Sequence, residues 1–413
     1  MLEYFFSDTA TLLRFRDGSV GPFLDGFAGL LFAQGYKRLT GGVVLRSARH
    51  LGEWAARHGV GVADFDDEVI ARFERVVRAR RGRQFGGRKR GFHEAPGHAR
   101  RFLHYLREVD GVPAAPVAPR AALTAEYAAW MRDRQGLAAA TIAAQLRVVD
   151  ALLGATGDDP ARLDVTSVRT FVLDHVQRHS PSSPGGVTTP VRGFIRYLVA
   201  QGRCAVTLVG AVPVMHEWKQ ARLPQYLTAV DVERVIAGCS SGDDVSVRDR
   251  AMLLLLARLG LRGSDVRMLQ LDDLDWRRGR IRVAGKGRRE TFLPLPQDVG
   301  DAILAYLRVR QSTQTDRVFL RKGAPVQPLS SGGLKNAVER AIRRAGVQAP
   351  AYGTHLLRHS LATRMLREGA TLDLIGAVLR HRDLDSTAIY SKVDVEQLRH
   401  IAQPWPGTEV SPC

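Results

Sequence analysis

Acidic residues are the scarcer charge in this chain: 42 Asp and Glu stand against 60 Lys and Arg, a formal net charge of +18. A surplus spread over much of the chain points to a polyanionic partner, although a basic, Arg-rich proteome raises charge in the same way. Cysteine is nearly absent. Cys204, Cys239 and Cys413 show neither pairing nor metal-ligand spacing, which suits a reducing compartment and argues against a disulfide framework or a zinc site. No basic segment leads into an apolar core at the N-terminus, so no secretory signal is expected. The longest strongly apolar run, residues 252–257, is far too short to span a bilayer. Gly-x-x-x-x-Gly-Lys-Ser/Thr is missing as well, which removes a nucleotide-binding P-loop. The expectation is a soluble protein of the cytoplasm with no membrane contact.

An apolar share of 45% over 413 residues describes a folded protein of two or three domains. Residues 1–111 read as helices at 23–34, 43–56, 68–77 and 97–109, with Asp66 or Asp67 capping the third. Between the last two lies an Arg run, residues 78–90, punctuated by glycines. Its Arg88, Lys89 and Arg90 suit a DNA backbone, with Phe85 available to stack; a solvated loop fits the run equally well. Residues 112–120 are Pro-rich and read as an extended linker. In residues 121–210 the earlier pattern returns: Arg100, Phe102, Tyr105 and Leu106 match Arg192, Phe194, Tyr197 and Leu198. Ala63, Asp66 and Phe73 likewise match Ala161, Asp164 and Phe171. This predicts a tandem pair of small helical domains, with convergent helix patterning as the alternative. A second linker covers 211–227. Residues 228–402 alternate helices with one β-hairpin over 280–295, an α+β domain, and a tail occupies 403–413. The predicted class is a mainly α multidomain protein with one small β-hairpin sheet.

The side chains suited to phosphate chemistry lie in this last domain. His355 and Arg358 are three apart, so on a helix they share a face and reach one phosphate. Arg262 sits in a turn between a buried helix and a new one beginning near Ser264, where backbone on both sides fixes it for bidentate contact. Asp265 either buttresses Arg262 or caps that helix. Lys286 occupies the Gly-Lys-Gly tip of the hairpin, and His381 and Tyr390 follow nine residues apart. His359 is assigned a structural role, because it points away from its neighbour on the helix. Asp272, Asp273 and Asp275 could gather a hard cation, but they read better as the polar turn before the strand.

Arg262, Lys286, His355, Arg358, His381 and Tyr390, in that order, resemble the tyrosine recombinases of the phage integrase family over roughly residues 120–402. The turn holding Arg262 matches the family's arginine box with Leu259 for Thr and Asp265 for Glu, and Arg380 stands where Gly usually precedes His381. The resemblance implies a metal-free and cofactor-free enzyme in which Tyr390 attacks a DNA strand to form a 3′-phosphotyrosine. Arg262 and Arg358 would clamp the phosphate, Lys286 would protonate the leaving 5′ oxygen, and His355 would accept or donate a proton. It further implies a helical core-binding domain at 121–210, with Arg147, Arg192 and Arg196 as phosphate contacts or ordinary exposed residues. Double-stranded DNA is the implied partner, with a tetramer coupled through the C-terminal tail, partner recombinases left open, and the nucleoid as the place of action. The implied role is integration for a mobile element; a chromosome-dimer resolvase and a catalytically silent DNA-binding regulator are the alternatives.

Overall fold

A computed structural model describes residues 1–82, 97–109, 111–113, 119–179, 183–215, 223–239, 242–284, 290–313, 315–381 and 385–393. The chain forms two compact units, Pro113–Ala221 and a second made of Met1–Val112 with Arg222–Cys413.

The first unit is a helical bundle of Pro119–Gln135, Ala139–Thr156, Val165–His179 and Gly185–Ala200. Helix begins at Pro119, inside the extended linker expected over 112–120; a first helical position has no use for the N–H that proline lacks. Helix Ala139–Thr156 is long and apolar enough to cross a membrane by length and composition, yet its Ile142, Val149, Leu152 and Leu153 are buried in the core of the bundle.

In the second unit the N-terminal helices are Leu2–Phe5, Thr9–Arg16, Gly21–Ala33, Arg38–Arg57, Asp67–Gly82 and His98–Glu108. The first two lie where periodicity gave no helix. Asp8 caps the second, its carboxylate accepting the Thr11 N–H at 2.8 Å.

Some of the residues that match between positions 1–111 and 121–210 occupy similar places, whereas Arg100 pairs with Glu74 and Arg192 donates to main-chain carbonyls. A 3₁₀ turn, Val62–Asp64 or Pro160–Arg162, precedes an aspartate that caps the next helix. Asp66 accepts from the Val69 N–H at 2.7 Å, and Asp164 from the Thr166 and Ser167 N–H groups at 2.7 and 2.9 Å. Phe102 and Phe194, and Leu106 and Leu198, are wholly buried. Phe27 packs on Phe102 and Tyr105 with ring centres 5.1 and 5.2 Å apart, and Tyr127 on Phe194 and Tyr197 at 5.2 and 5.1 Å.

The α+β part is built on helix Asp244–Arg258. Residues 251–257 are all buried whichever way they face, as expected for a helix apolar all round. Around it lie Ala229–Ala237, Gln297–Val309, Ser331–Arg344 and Thr354–Arg367. Thr228 caps the first of these, accepting the Asp231 N–H at 3.1 Å. Strands β1 (Leu274–Asp275), β2 (Arg280–Ala284) and β3 (Glu290–Pro294) form one antiparallel sheet, with Arg280 opposite Pro294 and Ala284 opposite Glu290. The aspartates before β2 are bound by its arginines: Arg282 Nε donates to Asp273 and Arg280 Nε to Asp275, each at 2.8 Å. The end of the expected α+β domain, residues 394–402, and the tail lie outside the described residues, as does the Arg run from position 83 onward.

Candidate active site

The site starts where helix Asp244–Arg258 stops. Gly260 follows at φ +55°, a left-handed conformation natural to glycine. A Cβ on it would stand 2.7 Å from Leu379 Cδ2 and 3.0 Å from Leu361 Cδ2, so only glycine lets this turn sit so close to the helices Thr354–Arg367 and Leu372–Leu379.

That close approach sets the two arginines. Arg358 is 4% exposed and donates from Nη1 to the Gly260 carbonyl and from Nη2 to the Leu379 carbonyl. Arg262, at the N-cap of helix Gly263–Met268, donates from Nη2 to the Arg380 carbonyl at 2.9 Å. Both guanidiniums therefore hang on the same turn, residues 379–380, and each keeps further N–H groups for another oxygen. Burial and the neighbouring Arg262 charge push Arg358 down to about 10, which leaves it protonated at neutral pH.

Asp265 does not bind the Arg262 guanidinium. It accepts the Arg262 backbone N–H at 3.2 Å and Arg380 Nη2 at 2.8 Å, so it caps the helix and holds Arg380. Arg380 adopts φ 55°, ψ 49°, the conformation a glycine would take there without strain, and its side chain is only 10% exposed. The residue standing in for Gly thus adds a buried ion pair that ties the first arginine's turn to the turn before His381.

His381 donates its backbone N–H to the Gly376 carbonyl at 2.9 Å, and its Nδ1 lies 2.8 Å from Thr387 Oγ1. Its ring runs parallel to that of Tyr390, centres 6.4 Å apart. Tyr390, on the 3₁₀ segment Ile389–Val393, is 1% exposed and packs with Leu361, Ala362, Ile375 and Leu379. Burial raises its hydroxyl to about 12, against the pull of Arg358. The Tyr390 hydroxyl lies 2.8 Å from Nδ1 of His359.

His359 corrects the sequence reading, which gave it no part in the site. It stands four residues beyond His355 on the same helix, with ring centres 6.3 Å apart, so the i, i+4 spacing already placed the two histidines on one face. Burial, then His355 and Arg358, push it down to about 4, so its imidazole is neutral at neutral pH. His355 is also lowered, by the surrounding protein and by Arg358 and Arg262, although its ring reaches solvent. Arg262, Ser264, Lys335, His355 and His359 line a surface cavity of about 730 Å³, wide enough for a phosphodiester and its sugars.

Of the six sequence-predicted residues, Arg262, His355, Arg358, His381 and Tyr390 meet in this region; Lys286 lies outside the described residues, in the connection between β2 and β3. Arg88, Lys89 and Arg90 are likewise outside them. In the helical bundle, Arg147 and Arg196 are exposed, whereas Arg192 is half-buried and donates to the Val212 and Pro213 carbonyls, each at 3.4 Å.

Comparison with known proteins agrees with this arrangement. Residues 225–397 match the phage integrase family. The "Putative integrase/recombinase y4rA" of Sinorhizobium fredii is 37% identical, over 98% of this chain and 99% of that protein. The chain belongs to the phage integrase family. It is a site-specific DNA recombinase of the tyrosine type. Tyrosine recombinase XerC of Azotobacter vinelandii is 34% identical over 57% of this recombinase and 78% of XerC. Among solved structures, the XerH site-specific recombinase bound to palindromic difH substrate aligns with a TM-score of 0.52 at 19% identity, covering 68% of this chain and 84% of that one. A lambda integrase dimer bound to a COC′ core site aligns at 0.51 and 15%, covering 65% and 94%. At these identities the two structures speak for the fold alone.

Proposed function

We propose that the chain cuts and rejoins double-stranded DNA through a 3′-phosphotyrosine on Tyr390, in the service of a mobile element. The observation that carries this is the hydroxyl of Tyr390, held by His359 and within the field of Arg358, whose guanidinium hangs from the same turn as that of Arg262. Attack by Tyr390 gathers charge on the nonbridging phosphate oxygens, and the N–H groups of Arg262 and Arg358 not used on carbonyls meet it there. As the Tyr390–phosphorus bond forms, the bond to the 5′ oxygen breaks, and Lys286 supplies the proton that oxygen needs. His355 lines the same cavity and serves the phosphate as donor or proton carrier. His381, parallel to the tyrosine ring, is the third basic position. Two fixed guanidiniums supply the charge that a metal ion would otherwise bring, so the reaction proceeds without one. The phosphotyrosine conserves the energy of the cleaved bond, and the 5′ hydroxyl of a second strand reverses it without ATP.

Double-stranded DNA as partner accords with the +18 charge, and with the difH substrate and the COC′ core site bound by the two solved neighbours. In this reading residues 121–210 clamp the duplex, with Arg147 and Arg196 as the better phosphate contacts, since Arg192 is engaged within the bundle. The active form is a tetramer on DNA coupled by the tail, working in the cytoplasm at the nucleoid. Full-length similarity to an integrase/recombinase, rather than to XerC over 57% of the chain, favours integration over dimer resolution.

A duplex nicked beside the cleavage site, drawn from DNA flanking the gene, tests the reading in EDTA. Wild type is expected to form a denaturation-resistant protein–DNA adduct, and Tyr390→Phe to bind the same duplex and form none. Binding by wild type without an adduct on any candidate site would make the chain a DNA-binding regulator instead.

A further inference from the structure

His359 is the group on which the nucleophile rests, and nothing in the expected catalytic set gives it work. Its Nδ1 is the partner of the Tyr390 hydroxyl at 2.8 Å, and the His355 ring lies near its own, centres 6.3 Å apart. The same imidazole lines the cavity beside Arg262 and His355, so it stands between the nucleophile and the space a phosphate would enter. Helix Thr354–Arg367 fixes His359 one residue after Arg358, whose guanidinium is locked to two carbonyls. The position of Nδ1 relative to the cations is therefore set by a single turn of helix.

We propose that His359 is a catalytic residue that accepts the Tyr390 proton during strand cleavage. The inference rests on Tyr390 being the nucleophile. The Tyr390 Oη–phosphorus bond forms, the hydroxyl proton moves to Nδ1 of His359, and the phosphorus–O5′ bond breaks, its oxygen taking a proton from Lys286. In the reverse reaction His359 returns the proton to Tyr390. His355 is left to the phosphate oxygens.

Basicity permits this. The phenol starts near 12 and becomes a strong acid once its oxygen bonds to phosphorus. His359, near 4, lies between those limits, so the transfer turns favourable as the bond forms. Being neutral beforehand, the imidazole has a lone pair to offer.

The experiment follows adduct formation in a single turnover on the nicked duplex, with wild type, His359→Ala, His359→Asn and Lys286→Ala. Asparagine places an amide near Nδ1 and keeps a hydrogen bond to Tyr390, but takes no proton at neutral pH. Both His359 variants are expected to bind DNA and melt as wild type does, and to cleave on the order of a hundredfold more slowly or worse. A second duplex with sulfur in place of the bridging 5′ oxygen needs no proton on its leaving group. It should restore cleavage to Lys286→Ala and leave both His359 variants slow. Wild-type cleavage by His359→Asn would overturn the proposal and reduce His359 to a positioning residue, and rescue by sulfur would overturn it by moving His359 to the leaving-group side. Should His359→Ala fail to fold, His359→Asn alone decides. A wild type that forms no adduct would instead bring down the assignment of Tyr390.

Discussion

Arg262 and Arg358 hang from main-chain carbonyls, at Gly260, Leu379 and Arg380, whereas Tyr390 and His381 are held by other side chains, His359 and Thr387. The cation region is set by how three turns pack, and one buried side-chain pair, Asp265 with Arg380, ties two of them together. The nucleophile region sits on a short 3₁₀ segment, where the Tyr390 hydroxyl meets a side chain rather than a main-chain carbonyl. In the proposed mechanism the charge that meets the phosphate is thus anchored on main chain, and the attacking hydroxyl on an imidazole.

Breaking the cation region should therefore require cutting the Asp265–Arg380 tie, moving a turn or changing an arginine. Asp265→Ala leaves the Arg380 guanidinium buried without its carboxylate, and its Nε and Nη1 have no other partner among the described residues. We expect a loss of about 3–5 kcal/mol in urea unfolding. Arg380→Gly in the same chain should recover most of it, because glycine suits the backbone there and removes the stranded charge. Additive losses would mean that the two side chains are not coupled.

Arg358→Lys keeps the charge but cannot reach both carbonyls and a phosphate with one ammonium. Single-turnover cleavage should fall by about a hundredfold to a thousandfold, with DNA binding little changed. A drop in binding equal to the drop in cleavage would show that Arg358 grips the ground state as firmly as the transition state. Gly260→Ala tests the packing itself. The left-handed backbone and the contact with Leu379 together should cost about 2–4 kcal/mol in unfolding, and cleavage should fall with it as both arginines lose register.

The spacing of chemistry-bearing residues gave the cation region in outline, because Arg262 and Arg358 belong to local patterns: a turn after a buried helix, and two side chains three apart. The β-hairpin and most helices of the last domain followed from period and caps for the same reason. What escaped was tertiary. The bond between His359 and Tyr390 joins positions thirty-one apart, and no local pattern in the sequence marks it. The left-handed arginine at 380 is bound by Asp265, from another element. Helix Thr9–Arg16 carries no period that marks it, since of its apolar residues only Phe15 is buried, and its order comes from the Asp8 cap and from packing.

The smallest effect we expect belongs to the nucleophile region and is read through pH. His359 faces His355, Arg358 and Tyr390, and in the folded chain it titrates near 4 rather than at its ordinary 6.5. Between those values the unfolded chain binds a proton that the folded chain refuses. Stability is therefore full above about pH 6.5 and declines as pH falls toward 4. His355 is shifted the same way and adds to the slope. Replacing His359 by asparagine removes one of the two contributions and leaves the carboxylates untouched. Urea unfolding of wild type and His359→Asn from about pH 7 to about pH 5 should show the variant losing less, by on the order of 1 kcal/mol given partial access of solvent to the ring. Parallel curves would mean that His359 is as well solvated folded as unfolded, and the nucleophile would then be no more enclosed than the cavity beside it.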